Sequence, residues 1–340
     1  MINEETVIVL GAGASFDYGL PLGPQLTEKA VEFLHRHQET KFDDWAEIET
    51  DLNGYSNLAK ILQKSRTPTL DAFIEKNNTF APPLKAAIAG VLLELEDKAI
   101  SSMEFPDGDW VSWLYHNRME SCPESFKNNR LSFVSFNYDR IPMALFARFM
   151  ANTHQVDIEH SLRIVSGAMA HALPQENFGH VPDDVHIERF IHVHGQVGTE
   201  LKPRGTTEMY SQSVNVDNTM LQSIDSSRKV NGKYLNDISK NIVTISENEK
   251  MPDENAYARM KILLSRASKI IILGLGYHDK NLDKIGLTSE FVKSNRLKFI
   301  GGTGIGLGQK DRDRLLNRFG SKFKIGDDKQ DCLSFLQEYF

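Results

Sequence analysis

Apolar residues follow two rhythms along this chain. Thr6-Val7-Ile8-Val9-Leu10, Leu131 to Phe136, Arg189 to Val193, Lys269-Ile270-Ile271-Ile272-Leu273 and Leu297 to Ile300 are short β-rich runs, most of them stopping at glycine or small polar residues. Runs of this length and kind predict strands, and the continuously apolar ones suit a parallel sheet buried on both faces. Between them the apolar positions recur at helical spacing. Residues 24–37 put Leu26, Ala30, Phe33 and Leu34 on one stripe. Residues 69–75 read as a helix with Thr69 as its N-cap. Ala86 to Ile100, Pro142 to Met150, Ala256 to Ala267 and the terminal Leu333 to Phe340 complete the helical set.

Strands alternating with helices predict an α/β fold, a doubly wound Rossmann-like parallel sheet. The whole span 1–340 reads as one domain, with residues 40–130 as a largely helical insertion. Residues 200–250 are rich in Ser, Asn and Lys and have little periodicity, which predicts a polar loop or mobile insertion. Doubly wound sheets bind ligands beyond the carboxyl ends of their strands. Four of the predicted strands run directly into polar motifs, so those motifs are expected to share one cleft.

Composition narrows the chemistry. A net charge of −7 gives no global basic surface for nucleic acid or anionic lipid. Only two cysteines, Cys122 and Cys332, are present, too few for a disulfide framework or a four-cysteine zinc site. The opening Met1-Ile2-Asn3-Glu4-Glu5 is acidic and unlike a secretory signal, and no run approaches the roughly 20 apolar residues of a membrane span. The expectation is a cytoplasmic protein without membrane or direct nucleic-acid contacts.

Five motifs carry candidate chemistry. Gly11-Ala12-Gly13-Ala14-Ser15 follows the first strand, where small residues let backbone approach a pyrophosphate. Phe16 stands where a dinucleotide fingerprint has its third glycine, and no acidic residue ending a second strand follows at the required distance, so an ordinary dehydrogenase is disfavoured. Ser135-Phe136-Asn137-Tyr138-Asp139 ends the second strand. Asn137 offers both donor and acceptor and can orient a water or a ribose hydroxyl, or it can simply cap a helix. His192-Val193-His194-Gly195 would put both imidazoles on one strand face. Such a pair can bind metal, but no cysteine or carboxylate triplet completes a ligand set, so no metal is expected. His194, abutting a glycine, is instead a candidate general base with a pKa near 7, whereas His192 is expected to pack or hydrogen-bond within the fold. Gly274-Leu275-Gly276-Tyr277-His278-Asp279 follows the fourth strand, and Gly301 to Gly308 follows the fifth. Either can close around a nucleotide, although the fifth reads more naturally as a flexible loop.

In this order the motifs resemble the sirtuin-like family. Gly11 to Ser15 followed by Gly19-Leu20-Pro21 is similar to its opening glycine signature, Ser135 to Asp139 to its Thr-Gln-Asn-Ile-Asp, and His194-Gly195 to its His-Gly. Gly274 to Asp279 has the spacing of the Gly-Tyr-Ser-x-x-Asp segment of the bacterial sirtuin-like NADases. Leu22-Gly23-Pro24 stands where deacetylases carry Asp-Phe-Arg, and their zinc module cannot be built, so protein deacylation is disfavoured. The resemblance is closest to the bacterial branch that depletes NAD in antiphage defence.

That resemblance implies NAD as substrate. Gly11, Ala12, Gly13, Ala14, Ser15, Gly274, Gly276 and Asp279 would hold the nucleotide, Asn137 would position water and ribose, Asp139 would contact the nicotinamide carboxamide, and His194 would be the base. It also implies restraint, since free NADase activity poisons its host. The apolar terminal helix either packs on the chain's own core or joins subunits; a homo-oligomer is expected, activated by a co-encoded protein such as a ring-forming ATPase, a nucleotide-processing protein or an Argonaute-like protein. The rival readings are a non-catalytic NAD or ADP-ribose sensor and an assembly subunit.

Overall fold

The computed structural model describes residues 1–37, 55–102, 109–166, 189–197, 235, 238–244, 254–293 and 296–340. Most of the polar segment 200–250 lies outside the described residues. Six strands, β1 (Thr6–Leu10), β2 (Leu131–Ser135), β3 (Phe190–His192), β4 (Lys269–Leu273), β5 (Phe299–Gly302) and β6 (Phe323–Ile325), form one sheet in the order β3-β2-β1-β4-β5-β6. Every pairing is parallel. This is a Rossmann-like α/β fold.

The strand runs explain the layering. Alternate side chains of a strand point to opposite faces, and β1 is buried at all five positions. Ile8 and Leu10 enter one core, together with α1 (Gly23–Arg36), α2 (Tyr55–Ser65), α3 (Leu70–Lys76), α4 (Ala81–Ser102), α5 (Trp110–Asn117), α6 (Ile141–His154) and α7 (Ile158–Ser166). Val7 and Val9 enter the other, against α8 (Glu254–Arg266), α9 (Asp279–Lys284), α10 (Ser289–Lys293) and α11 (Gln309–Phe319). Thr69 caps α3 as expected, its hydroxyl accepting from the Ala72 N–H at 3.2 Å. Between β1 and β2 the described residues include α1 to α5, and these support the first loop from behind. Trp110 Nε1 donates to the Ala14 carbonyl at 2.8 Å, and the Tyr18 hydroxyl donates to Asp109 at 2.7 Å.

Two sequence expectations change. Strand β5 ends at Gly302, not Ile300, so Gly301 and Gly302 are sheet residues. A Cβ on Gly302 would lie 2.2 Å from the Tyr277 hydroxyl, so close packing accounts for this glycine and loop flexibility does not. Strand β6 is an addition to the predicted set. The terminal helix α12 (Cys332–Tyr339) takes the first of its two readings: it buries Cys332, Phe335 and Leu336 in the chain's own core, with Leu333, Tyr339 and Phe340 packed against it. Its apolar face is used internally. No helix among the described residues is long and apolar enough to cross a membrane.

Candidate active site

The strand order reverses beside β1: the chain builds outward through β2 and β3, then returns to add β4 on the other side. The loops after β1 and β4 therefore meet at the switch point, where doubly wound sheets place ligands. Here they are locked together. Gly11 N–H donates to the Leu273 carbonyl and Gly13 N–H to the Gly274 carbonyl, both at 2.9 Å. A Cβ on Gly11 would lie 2.5 Å from the Gly274 carbonyl oxygen, and one on Gly13 would lie 2.8 Å from Gly274 Cα. These two glycines are thus required by loop-on-loop packing, and their N–H groups are already engaged. Ala12 is the exposed residue of the turn, while Ala14 and Ser15 are buried.

Gly274 has φ +62°, and its N–H donates to Thr303 Oγ1 at 2.8 Å. A Cβ there would stand 2.1 Å from the Ala14 nitrogen. Gly274→Ala is expected to destabilise by more than the roughly 1–2 kcal/mol of a left-handed non-glycine residue, because backbone must also move. Gly276→Ala, whose nearest neighbour would be the His278 ring at 3.5 Å, is expected to stay within about 0.5 kcal/mol. Urea unfolding of the two variants checks the contrast.

Asn137, Ser15 and Asp139 form one chain of hydrogen bonds. Asn137 Nδ2 donates to the Gly11 carbonyl at 2.9 Å and to Ser15 Oγ at 3.1 Å. Ser15 Oγ donates in turn to Asp139 Oδ1 at 3.0 Å. A hydroxyl has one proton. Because Ser15 gives its proton to Asp139, it can accept from Asn137, and this fixes which way the amide points. Nothing among the described residues donates to Asn137 Oδ1, which leaves that oxygen as an available acceptor. Asn137 is not a helix cap; Arg140 occupies the N-cap position of α6.

Asp139 is buried, and burial together with the nearby Glu96 carboxylate pushes it up to about 7. Glu96 is itself buried against Arg140, with Nη2 to Oε2 at 2.7 Å and both side chains 3% exposed. It also accepts from the Arg140 backbone N–H. Sequence gave no sign of this pair. Removing one member of a buried ion pair strands the other charge, at about 3–5 kcal/mol. Glu96→Gln is expected to lose stability on that scale, as read by denaturant unfolding.

The histidines depart from expectation. Strand β3 stops at His192 and the chain turns at Gly195, φ +77°, so strand alternation does not carry His194 onto the face of His192. The rings are engaged separately. His192 Nδ1 donates to the Asn137 carbonyl at 3.0 Å, which supports the asparagine, and burial pulls this imidazole down to about 4. His194 is 3% exposed, and its Nδ1 lies 3.4 Å from Lys284 Nζ. Burial, then the Lys284 charge, pull it down to about 3. This environment disfavours the imidazolium form of His194, although a hydrogen bond with the Val243 backbone acts in the other direction.

Asp279 is half-exposed at the start of α9. Its carboxylate pairs with Arg314 at 2.6 Å and Arg318 at 3.1 Å, tying α9 to α11. Gly11 to Ser15, Asn137, Asp139 and Gly274 are thus linked by direct contacts. His194 flanks them through the Phe136 and Tyr138 rings, with centroids 5.6 and 6.5 Å away. Among the described residues no three His, Cys, Asp or Glu side chains gather as a metal group.

Comparison with known proteins finds no matching family model, no matching curated protein and no matching solved structure. Fold and site together define an α/β protein with a buried polar cluster at its switch point.

Proposed function

We propose that the chain is an NAD glycohydrolase, cleaving the nicotinamide–ribose bond to give nicotinamide and ADP-ribose. The observation that supports this best is the directed Asn137–Ser15–Asp139 chain at the switch point, which leaves Asn137 Oδ1 as an acceptor beside the β1 turn. The choice of NAD comes from the ordered sequence motifs.

In this reading the segment Ala12 to Ser15 faces the diphosphate. Asn137 Oδ1 orients a ribose hydroxyl and the attacking water. Asp139 lies toward the carboxamide. The anomeric C–N bond breaks with its electron pair going to the pyridinium nitrogen, so nicotinamide leaves neutral and the sugar becomes oxocarbenium-like. Water adds its oxygen to that carbon and releases one proton. A cation of this kind needs little help from a strong base, so placement of the reactants dominates the rate.

Uncontrolled hydrolysis would exhaust the host's own NAD. We therefore place the chain in antiphage defence, weakly active alone and switched on by a co-encoded partner or a nucleotide signal. A second reading, a sensor that binds NAD or ADP-ribose without turnover, draws on the weak basicity of His194. Product analysis separates the two. Purified chain, alone and with the proteins encoded beside it, is incubated with NAD and the mixture resolved by chromatography. Nicotinamide and ADP-ribose in equal amounts are expected; NAD that is bound but recovered intact would favour the sensor.

A further inference from the structure

His194 and His192 meet different partners through Nδ1. The acceptor for His192 Nδ1 is the Asn137 carbonyl, so Nδ1 carries the proton. The partner of His194 Nδ1 is the Lys284 ammonium, which has only protons to give. When that ammonium donates, a neutral His194 ring accepts at Nδ1 and carries its proton on Nε2; a hydrogen bond with the Val243 backbone acts the other way, favouring a protonated ring, so Lys284 is what selects this form. That Nε2 is buried and has no hydrogen-bond partner. An unmet buried donor is costly unless a ligand acceptor meets it.

Lys284 owes its place to the segment after β4. It is the last residue of α9, and Asp279 and Asp283 of that helix are held by Arg314 and Arg318 of α11. These ion pairs tie the helix that carries Lys284 to α11.

We propose that Lys284 is a positioning residue that holds His194 in its Nε2–H form, so that His194 meets the substrate as a hydrogen-bond donor to a ribose hydroxyl oxygen and not as a base. The substrate part rests on the NAD glycohydrolase reading; the protonation pattern does not, and it can be read in the protein without NAD.

The test is a long-range proton–nitrogen correlation spectrum of the full chain with ¹⁵N-labelled histidine, His194→Asn identifying the signals. A protonated Nε2 and bare Nδ1 are expected for His194. This pattern should be lost in Lys284→Met and retained in Lys284→Arg, which keeps a donor at that place. A wild-type His194 protonated on Nδ1, or a pattern unchanged in Lys284→Met, would overturn the proposal whatever the enzyme does. Turnover of NAD then tests the donor role: Lys284→Met should lower kcat by about 10²-fold and Lys284→Arg should recover most of it. Full kcat in Lys284→Met would overturn that part and leave hydrolysis itself standing.

Discussion

Asp139→Asn is expected to yield a chain that is more stable above neutrality and poorly active on NAD. The carboxyl is buried and raised to about 7 by burial and by Glu96, whereas in the unfolded chain it titrates near 4. Between those values the folded protein holds one more proton than the unfolded chain. Stability therefore falls as pH rises through the window from about 4 to about 7, and the contribution is complete only below it. The amide removes this titration and can still accept from Ser15 and the Ile141 N–H through Oδ1, as the carboxylate does. At pH 8 a gain on the order of 2–4 kcal/mol is expected, shrinking toward zero near pH 4. Activity should fall, because an amide at position 139 can donate to Ser15 as well as accept, and Asn137 is then held by the Gly11 carbonyl without the Ser15 hydroxyl as its second acceptor. Unfolding curves at several pH values, paired with turnover, check this. A stability difference that does not change with pH would contradict the assignment of Asp139 as the raised group.

Asn137→Ala is expected to lower NAD turnover by about 10²–10³-fold, the scale of losing a positioning contact or a preorganised polar group. The variant also removes the side-chain donor from the Gly11 carbonyl, which keeps the Ala14 N–H, a loss worth about 0.5–1.5 kcal/mol. Melting and turnover measured on the same sample separate the two effects: a modest loss of stability with a large loss of rate is expected. A loss of rate that merely tracks the unfolded fraction would mean that the residue is structural.

Much of the fold was legible because buried parallel strands advertise themselves. Val7-Ile8-Val9 and Ile270-Ile271-Ile272 have few other homes than the middle of a sheet, and they pair there as neighbours. The miss at β5 has a physical cause. Gly301 and Gly302 carry no side chain to signal burial, yet they are sheet residues because Lys324 and Tyr277 press against them. Strand β6 is three residues long with an exposed lysine in the middle, too short for periodicity to register. Local motifs placed Asn137 and the β1 turn well, since both follow strand ends. What sequence hid were contacts between distant residues. Glu96 meets Arg140 across 44 positions, and Lys284 meets His194 across 90. These partners alter the chemistry of the motif residues: one helps raise Asp139, and the other draws His194 away from neutral pH.

The most direct measurement is release of nicotinamide from NAD at enzyme concentration equal to substrate, so that even a weakly active chain registers within one turnover. Wild type and Asn137→Ala, both shown to be folded, are followed side by side. Nicotinamide accumulating with the wild type, matched mole for mole by ADP-ribose and nearly absent with the variant, is the expected result. Nicotinamide release that is the same in both, or no greater than in buffer, would contradict the account.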